Sequence, residues 1–457
     1  MFTGRHYPWC HEVASGHRTY SLSKYLWRWG WRPIVITQLE PDAIGISPMP
    51  LNHIRDYLGA LRQNEAGVIP VAAGPSTGRT LLALSRQMHE RATRSGIRRK
   101  FRDGMGSVLG YLAWLLGGDG YQMGGGWIPR AVEAALCVVQ TIGADAAFST
   151  SGWDPLFAAR RLRRKVGIPW ILDLTDPWEM FYVSAARFLY LTPFYRQVVP
   201  SAASLSQCTP GWARELSQRV GRPVACLVSG FDADELDRVE ARRFDRFTVV
   251  YVGSAESDNR DPSTFFAGLS LLRRTQPEVG SKVQVVYVGS NYDFFRQRAS
   301  EQGVNELLHC TGQVKLGEVM PYVKGAHLLL VAMDNRLGFN QGRLTAKVGE
   351  YLGTDRPILL TQPPSECIKT DLARLIGETS VGWGAENAEA VAAVLRRLLE
   401  QYRATGATMR PGGGRYVVGD FTWQSQSRKL AFLLDQVAAG QRDPVVENIR
   451  TAYPWGA

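Results

Sequence analysis

The sequence predicts an α/β protein with two doubly wound, Rossmann-like domains. Short runs of β-branched residues alternate along the chain with longer amphipathic segments, a pattern typical of strand–helix units around parallel sheets. The alternation falls into two series, each long enough to form a sheet of its own. A length of 457 residues fits two or three domains of roughly 100–200 residues each.

The first series predicts three clear strands and one weaker strand. The clear strands are Pro33–Thr37, Ala146–Ser149 and Trp170–Leu174, and the weaker one is Ser204–Cys208. Apolar residues recur with helical spacing in three segments of this half. These predicted helices are Arg18–Trp29, Arg130–Ile142 and Pro155–Val166.

The second series predicts five strands and three helices. The strands are Phe247–Val252, Val283–Val288, Leu307–Cys310, His327–Val331 and Ile358–Thr361, and the helices are Pro262–Arg274, Ala388–Tyr402 and Trp423–Ala439. Between the two series, a strand-like segment at Val224–Val228 gives way to a charged linker at Asp234–Arg246. We therefore expect an N-terminal domain over residues 1–228 and a C-terminal domain over residues 229–422. A final helix and tail, residues 423–457, are expected to pack back towards the N-terminal domain.

The net charge of +11 lies entirely in the first half of the chain. Lys and Arg number 26 against 15 Asp and Glu in residues 1–225, and 27 against 27 in residues 226–457. A positive half favours phosphates, nucleic acid or an anionic membrane surface as partners. Ordinary solvated surface cations explain the same count equally well.

The cysteines and the N-terminus bear on the compartment. The six cysteines include no Cys-x-x-Cys pair, which argues against a zinc site and a disulfide framework and favours a reducing compartment. The first residues lack the pattern of a signal peptide, and no stretch reaches the roughly 18–20 apolar residues of a membrane-spanning helix. We expect a cytoplasmic protein.

Two segments of the first half contain candidate site residues. Small residues at Ala14–Gly16 precede a predicted helix, where free backbone N–H groups and the helix dipole favour an anion or a sugar hydroxyl, although a plain cap is the commoner role. The strand Trp170–Leu174 leads to Asp173 and Asp176 at the carboxyl edge of a sheet, where doubly wound folds bind ligands. Asp173 has the alternative role of capping the next turn. Asp176 is the preferred functional candidate.

Two segments of the second half contain the remaining candidates. Gly253 follows a strand, and Arg260 lies seven residues later, so that backbone amides and a guanidinium can face a diphosphate. The dinucleotide fingerprint Gly-x-Gly-x-x-Gly is not met, and a plain strand–turn interpretation stays open. Further on, Lys347 and Glu350 share one helix face, and Thr345 is placed to cap that helix. A surface ion pair would produce the same pattern.

Taken together, these segments resemble a bacterial glycosyltransferase of the GT-B fold, closest to the family-four type that uses nucleotide-diphosphate sugars. The strongest matches are Thr-Ala-Lys-Val-Gly-Glu-Tyr-Leu at 345–352 with Arg-Pro-Ile at 356–358, and Asp-Leu-Thr-Asp-Pro-Trp at 173–178. Cys-Thr-Pro-Gly-Trp at 208–212 and Val-Ser-Gly-Phe-Asp at 228–232 support them. The resemblance implies two Rossmann-like domains facing a central cleft, with the acceptor on the N-terminal domain and the donor on the C-terminal domain.

The resemblance also implies roles for single residues. Donor binding is expected from Gly16, Gly253, Arg260, Lys347 and Glu350. Glu350 is expected on the ribose hydroxyls, Arg260 at the pyrophosphate, and Lys347 near the phosphates or the sugar. Asp176 and Lys347 are the expected catalytic residues, and the acceptor side is expected to include His17, Arg18 and Asp173. No metal and no cofactor are expected, because Arg260 and Lys347 can neutralise the diphosphate.

The sequence departs from the family pattern at four positions. Gly342 stands where the family has the first glutamate of Glu-x7-Glu, and Ser254 stands where many members have an arginine. Thr175 replaces a histidine, and His17 replaces the second glycine of the opening pair. Because of these departures, the interpretation that the chain is a non-catalytic relative of the family stays open.

A basic segment next to an apolar one predicts contact with a membrane. Residues 86–102 hold seven cations and one carboxylate, and an apolar stretch too short to span a bilayer follows at 108–116. This combination is typical of an interfacial membrane segment, although a core helix with a solvated lead-in fits as well. We expect residues 86–116 to bind an anionic membrane surface and no nucleic acid to bind, because no recognition motif accompanies the charge.

The sequence therefore predicts a glycosyltransferase that moves a sugar from a nucleotide-diphosphate donor to a glycan or lipid-linked acceptor. Retention of the anomeric configuration follows from the resemblance alone. Two alternatives stay open: a nucleotide-sugar epimerase or hydrolase on the same fold, and a non-catalytic binding subunit of a transferase complex.

Overall fold

The computed structural model describes most of the chain, in two compact units. The described residues are 2–5, 14–39, 47–62, 66–72, 127–150, 152–177, 194–255, 260–290, 292–333, 342, 344–362, 370–411 and 419–445. The first unit comprises those within Met1–Cys208, Trp212–Leu227 and Ser427–Ile449, and the second those within Thr209–Gly211 and Val228–Gln426. The segment 86–116, predicted to bind a membrane, lies outside the described residues.

The first unit is built on a parallel sheet of seven strands. In chain order they are β1 (Phe2–Arg5), β2 (Ile34–Leu39), β3 (Gly67–Ala72), β4 (Ala147–Thr150), β5 (Trp170–Leu174), β6 (Ser204–Gln207) and β7 (Ala225–Cys226). Their order across the sheet is β3-β2-β1-β4-β5-β6-β7, and every pair is parallel. All residues of β2 and β5 are buried, as expected for strands that are covered on both faces.

Among the described residues of the first unit, five helices lie between these strands. They are α1 (Ala14–Leu26), α2 (Leu51–Ala60), α3 (Trp127–Ile142), α4 (Trp153–Val166) and α5 (Pro210–Val220). Short 3₁₀ turns occupy Trp27–Trp29 and Val199–Ser201, and a π turn occupies Phe194–Val198. Because neighbouring parallel strands point the same way, the helices between them run back, and the C-termini of α1, α3 and α4 lie at the amino edge of the sheet.

The second unit repeats the architecture with six strands. They are β8 (Phe247–Val252), β9 (Val283–Val288), β10 (Leu308–Cys310), β11 (Leu328–Ala332), β12 (Ile358–Thr361) and β13 (Gly382–Ala385), in the order β10-β9-β8-β11-β12-β13, all parallel. The helices are α6 (Ala233–Leu236), α7 (Ser263–Thr275), α8 (Pro277–Gly280), α9 (Tyr292–Glu301), α10 (Leu316–Gly325), α11 (Ala346–Leu352), α12 (Asp371–Thr379) and α13 (Ala388–Thr405). Two 3₁₀ turns lie at Asn305–Leu307 and Gly419–Phe421.

The last helix, α14 (Trp423–Ala438), belongs to the first unit from Ser427 onward. Ser427 Oγ donates to the Leu22 carbonyl at 2.9 Å, and the Trp31 indole N–H donates to Asp435 Oδ1 at 2.8 Å. Beyond the helix, Arg222 donates from Nε and Nη2 to the Asp443 carboxylate at 2.6–3.1 Å. These bonds attach the C-terminal residues to α1 and to the turn before β7.

Two doubly wound parallel sheets confirm the predicted fold class. The strands β5, β8, β9 and β12 match their predicted bounds, and β2, β4 and β11 are shifted by one or two residues. The prediction missed β1, as well as β3, which contains Pro70, and β13, which reads Gly-Trp-Gly-Ala. β3 and β13 are edge strands, where proline and glycine are tolerated and the composition gives little signal. β1 is a central strand, but its four residues, Phe-Thr-Gly-Arg, form no apolar run.

The start of α1 differs from its prediction. The helix begins at Ala14, four residues before the expected start at Arg18, so Gly16 and His17 lie in its first turn rather than in a turn before it. Gly16 is buried there, and a residue without a side chain suits such close packing. Within the described residues, no helix has both the length and the apolar character needed to cross a membrane.

Candidate functional site

In both sheets the strand order reverses next to the first strand, and the candidate residues follow strands at these points. The reversal lies between β1 and β4 in the first unit and between β8 and β11 in the second. Doubly wound folds bind ligands outside the carboxyl ends of the strands at such a switch point. In the second unit Gly253 follows β8 directly, and α11 follows β11. The topology therefore brings Gly253 next to the helix that carries Lys347 and Glu350.

Gly253 lies against the amine of Lys347. Its φ angle is +101°, a conformation that side-chain-bearing residues rarely adopt. A Cβ atom at this position would lie 3.4 Å from Lys347 Nζ. Glycine thus allows both the turn after β8 and the close approach of the lysine.

Lys347 lies among an aromatic ring, a cation and a carboxylate. Its Nζ is 4.0 Å from the centre of the Tyr251 ring, a cation–π distance. Burial and the nearby Arg260 lower the pKa of Lys347 well below its usual value, while Glu350 acts in the opposite direction. The amine is thus held in a place that disfavours its positive charge, and an arriving anion would restore that charge.

Glu350 stands one helical turn beyond Lys347 on α11. Burial raises the pKa of Glu350 to about 7, and the charge of Lys347 only partly opposes this effect. Two titratable groups with pKa values shifted towards neutrality, next to a glycine turn, are characteristic of a functional site. A solvated surface pair, the alternative left open by the sequence, would not show these shifts.

Arg260 is the second cation of this group. Its Nη1 donates to the Ser254 hydroxyl directly after the Gly253 turn. Its Nε is buried and has no hydrogen-bond partner among the residues that the structure describes. A guanidinium with an open donor at the carboxyl end of β8 is suited to receive an anion.

Close contacts between glycines and backbone carbonyl groups fix the position of α11. A Cβ atom on Gly349 would lie 2.6 Å from the Ser229 carbonyl oxygen, and one on Gly230 would lie 2.1 Å from the Phe421 carbonyl oxygen. Both distances are too short for any side chain, so these glycines let α11, the 228–232 segment and the turn before α14 pack closely. Tyr351, on the same helix, accepts a hydrogen bond from the Val252 N–H at 3.1 Å and ties α11 to the end of β8.

Thr345 does not cap α11 as expected. It occupies the N-cap position, but its side chain accepts no capping hydrogen bond. Its hydroxyl is buried and has no hydrogen-bond partner in the described part of the chain. The capping prediction was wrong because position alone does not fix the side-chain rotamer.

In the first unit, Arg18 and Asp173 form a buried ion pair. Arg18 Nε and Nη2 donate to the two Asp173 oxygens at 3.0 and 3.1 Å, and Nη2 also donates to the Leu227 carbonyl at 2.7 Å. Thr150 and Ser206 hydroxyls donate to the same carboxylate at 2.6 and 2.8 Å. The exposed fractions of Arg18 and Asp173 are 2% and 1%. This buried network joins α1 to the ends of β4, β5 and β6.

The charge state of the pair follows from its contacts. Burial lowers the pKa of Arg18, but attraction and hydrogen bonding to Asp173 outweigh it, and the pKa is raised overall. The guanidinium therefore stays charged. Its Nη1 is buried and has no hydrogen-bond partner among the described residues. A contact of this pair with an acceptor stays a prediction, and Nη1 is the atom through which it would form.

The other first-unit candidates lie at the same carboxyl edge. Gly16 is buried and His17 partly exposed in the first turn of α1, and Asp176 is partly exposed two residues after β5 ends. Their catalytic and binding roles stay predictions. Sequence reasoning missed Tyr251, Thr150 and Ser206 as partners of the predicted residues, because each looks like an ordinary strand residue. Among the residues described, no group of three or more His, Cys, Asp and Glu side chains is arranged to hold a metal ion.

Comparison with known proteins gives the fold. No family model matches the chain, and no curated protein matches it. Sucrose-phosphate synthase from Thermosynechococcus elongatus has a TM-score of 0.58 at 15% identity, with 94% of each chain covered. A trehalose 6-phosphate synthase from Burkholderia multivorans has a TM-score of 0.54 at 13% identity, with 90% of this chain and 97% of that chain covered. HepE from Anabaena, solved with UDP, has a TM-score of 0.51 at 11% identity, with 96% and 97% covered. The two synthases are glycosyltransferases with the GT-B fold, and this chain shares that fold.

Proposed function

We propose that this chain is a glycosyltransferase that moves a sugar from a nucleotide-diphosphate donor to an acceptor. The donor binds at the carboxyl end of β8, next to Gly253, Arg260, Lys347 and Glu350. The carrying observation is that Lys347 and Arg260 converge there, with a lowered pKa on the lysine and an unpartnered Nε on the arginine. The solved structure of HepE with UDP supports a nucleotide as the ligand.

The two cations supply what sugar transfer requires at the leaving group. Negative charge develops on the diphosphate as the bond between sugar and phosphate breaks, and fixed cations stabilise that charge. Binding of the diphosphate also stabilises the charged form of Lys347, because it raises the pKa that burial and Arg260 lower in the free protein. Glu350 accepts hydrogen bonds from the ribose hydroxyls of the donor. The cations therefore interact favourably with the charge that develops during transfer, and this interaction is not present in the free protein.

The finer assignments belong to the same proposal. The chain is of the family-four type, retains the anomeric configuration and works without a metal or cofactor, because Arg260 and Lys347 neutralise the diphosphate. Asp176 and Lys347 are the catalytic residues, Gly16 contributes to donor binding, and His17, Arg18 and Asp173 lie on the acceptor side. The acceptor is a glycan or lipid-linked precursor of a surface polysaccharide, reached in the cytoplasm or at the inner face of its membrane.

One observation favours a second candidate, a non-catalytic binding subunit. Gly342 is buried and carries no side chain where related enzymes have a glutamate, and the Arg260 guanidinium already bonds Ser254. Such a subunit would bind the donor without consuming it. Donor binding and turnover must therefore be measured separately.

The test is release of nucleoside diphosphate by the purified full chain from a panel of nucleotide-diphosphate sugars, with and without a membrane extract as acceptor. We expect release that requires the extract, and we expect Lys347→Met to abolish it. Lys282→Met, which changes an exposed lysine before β9, is the matched control and should retain activity. Release without acceptor would indicate a hydrolase, and conversion of the donor to a different nucleotide sugar without net release would indicate an epimerase. Donor binding without release or conversion would indicate the binding subunit. Absence of both binding and release would refute the proposal.

A further inference from the structure

Exposed apolar side chains of the first unit gather at the amino edge of its sheet. Trp27, Ile142 and Val166 are 45%, 42% and 38% exposed, and they follow or end α1, α3 and α4. The C-termini of these three helices lie at the same edge. A single exposed apolar residue is unremarkable in any protein, but three at one edge call for a partner.

Cations cluster at the end of α4, directly before Val166 in the sequence. The last six residues before Val166, residues 160–165, include five cations, and the single acid of α4 is Asp154 in its first turn. Burial, Arg164 and Arg161 together lower the pKa of Arg160, which shows that like charges are crowded there. The helix dipole favours one or two cations in a last turn. Five in six residues exceed that need.

The end of α1 adds alternating tryptophan and arginine. Residues 27–32 read Trp-Arg-Trp-Gly-Trp-Arg. The Arg28 guanidinium lies 5.7 Å from the Trp27 ring centre, and that of Arg428 lies 5.2 Å from the Trp29 ring centre. In such cation–aromatic pairs a charged group lies against an amphipathic ring, a combination that suits side chains at a membrane interface.

One cavity shows that these helix ends are neighbours. It has a volume of about 290 Å³ and is lined by residues of the α1–β2 turn, the α3–β4 turn and α4, including Trp31, Arg32, Ile142 and Leu162. Asp145 is the one acid among the described residues that line it. The cavity lining therefore brings the ends of α1 and α3 close to the last turns of α4. We call the exposed residues at these three helix ends the amino-edge surface and define it by Trp27, Arg28, Ile142, Arg164, Lys165 and Val166.

We propose that the amino-edge surface docks the protein on an anionic lipid bilayer. Lipid headgroups take the cations, and the interfacial region takes the tryptophan and the two aliphatic side chains. A nucleic acid would satisfy the cations but would offer no apolar region for Ile142 and Val166. The surface lies opposite the carboxyl edge that carries Gly16 and Asp176, so docking leaves that edge of the first unit unobstructed.

The test is cosedimentation of the full chain with vesicles that contain phosphatidylglycerol, compared with vesicles of phosphatidylcholine alone. We expect binding to the first and much weaker binding to the second. Arg164→Gln with Lys165→Gln should lower the partition coefficient about 30-fold, which corresponds to about 1 kcal/mol for each cation near an anionic surface. Trp27→Ser should weaken binding further at any salt concentration.

Matched variants separate the surface from net charge and from exposed aromatic area. Arg396→Gln with Arg397→Gln removes two exposed arginines from α13, and Tyr292→Ala removes an exposed ring from α9, both in the second unit. Neither should change vesicle binding by more than about twofold. Equal losses in the test and control variants would overturn the proposal. So would absence of vesicle binding by the unaltered chain, or binding to RNA that depends on Arg164 and Lys165 while vesicles do not bind. Nucleotide binding by the same variants is measured in parallel, so that loss of membrane docking can be distinguished from failure of the donor site.

Discussion

Replacing Asp173 by asparagine should destabilise the first unit more than any change to a surface ion pair. The carboxylate accepts four hydrogen bonds, two from Arg18 and one each from Thr150 and Ser206, at 2.6–3.1 Å. Both members of the ion pair are at most 2% exposed. Asp173→Asn keeps the shape but leaves the Arg18 charge buried without its counter-ion. Breaking a buried pair in this way costs about 3–5 kcal/mol.

Two further variants calibrate that loss. Thr150→Val removes one of the four bonds and should cost about 1.5–3 kcal/mol, the range for a hydrogen bond to a charged group. Glu215→Gln breaks the i,i+4 pair with Arg219, in which the Glu215 and Arg219 side chains are 49% and 37% exposed, and should cost no more than about 0.5 kcal/mol. The ranking Asp173, Thr150, Glu215 follows from the burial of the groups involved.

Urea denaturation followed by far-UV circular dichroism measures the three free energies. Hydrogen exchange of peptides that cover β4, β5 and β6 then assigns the loss to the first unit. If Asp173→Asn costs no more than Glu215→Gln, the buried network does not hold α1 to the sheet, and the reasoning about this edge is wrong.

Three further predictions concern the second unit. Gly253→Ala should lower nucleotide affinity on the order of tenfold, about 1.4 kcal/mol, because a side chain strains the φ +101° turn that contacts Lys347. Gly406→Ala, at φ +70° with nothing within 4 Å, lies outside the site and should cost stability alone. Calorimetric titration with the nucleotide checks both, and equal affinities would contradict the argument. Tyr251→Leu should weaken nucleotide binding by about 0.5–2 kcal/mol through loss of the cation–π contact. Tyr251→Phe keeps the ring, loses the bond that its hydroxyl donates to the Ser254 carbonyl at 2.8 Å, and should weaken binding less than Tyr251→Leu does. Glu350→Gln should raise stability more at about pH 8 than at about pH 5: the folded-state pKa of about 7 lies above the ordinary 4.5, so ionisation of Glu350 costs stability as pH rises through this window. Melting temperatures at the two pH values test the sign, and a gain that is larger at pH 5 would contradict it.

The strands that the sequence predicts well are those buried on both faces. Continuous runs such as Phe247–Val252 and Val283–Val288 are rich in β-branched residues because no part of them meets solvent. The edge strand β13 carries two glycines, and one of them is required by packing: a Cβ on Gly382 would lie 1.8 Å from the Ile358 carbonyl oxygen. A glycine that is required by close packing in the folded structure does not follow the periodic pattern from which strands are predicted.

The candidate site also contains one part that the sequence predicts and one part that it does not. Lys347 and Glu350 are three residues apart, so helical periodicity alone puts them on one face. The contact of Lys347 with Tyr251 and the pairing of Arg18 with Asp173, 155 residues apart, depend on how the strands are ordered in each sheet. That order is set by tertiary packing, which a single sequence does not display. The pKa shifts of the site arise from the same burial and were therefore beyond prediction.

The central claim is that the Gly253, Arg260, Lys347 and Glu350 group binds a nucleotide diphosphate. Thermal unfolding of the full chain across a panel of nucleoside diphosphates and their sugars tests it most directly, with Lys347→Met and Lys282→Met alongside. At a concentration 100 times its dissociation constant, a ligand adds about 2.7 kcal/mol of stability, which is a rise of roughly 5–10 °C for a domain of this size. We predict such a rise for at least one nucleotide with the unaltered chain and with Lys282→Met, and none with Lys347→Met. A flat response to the whole panel, or the same rise in Lys347→Met, would contradict the account.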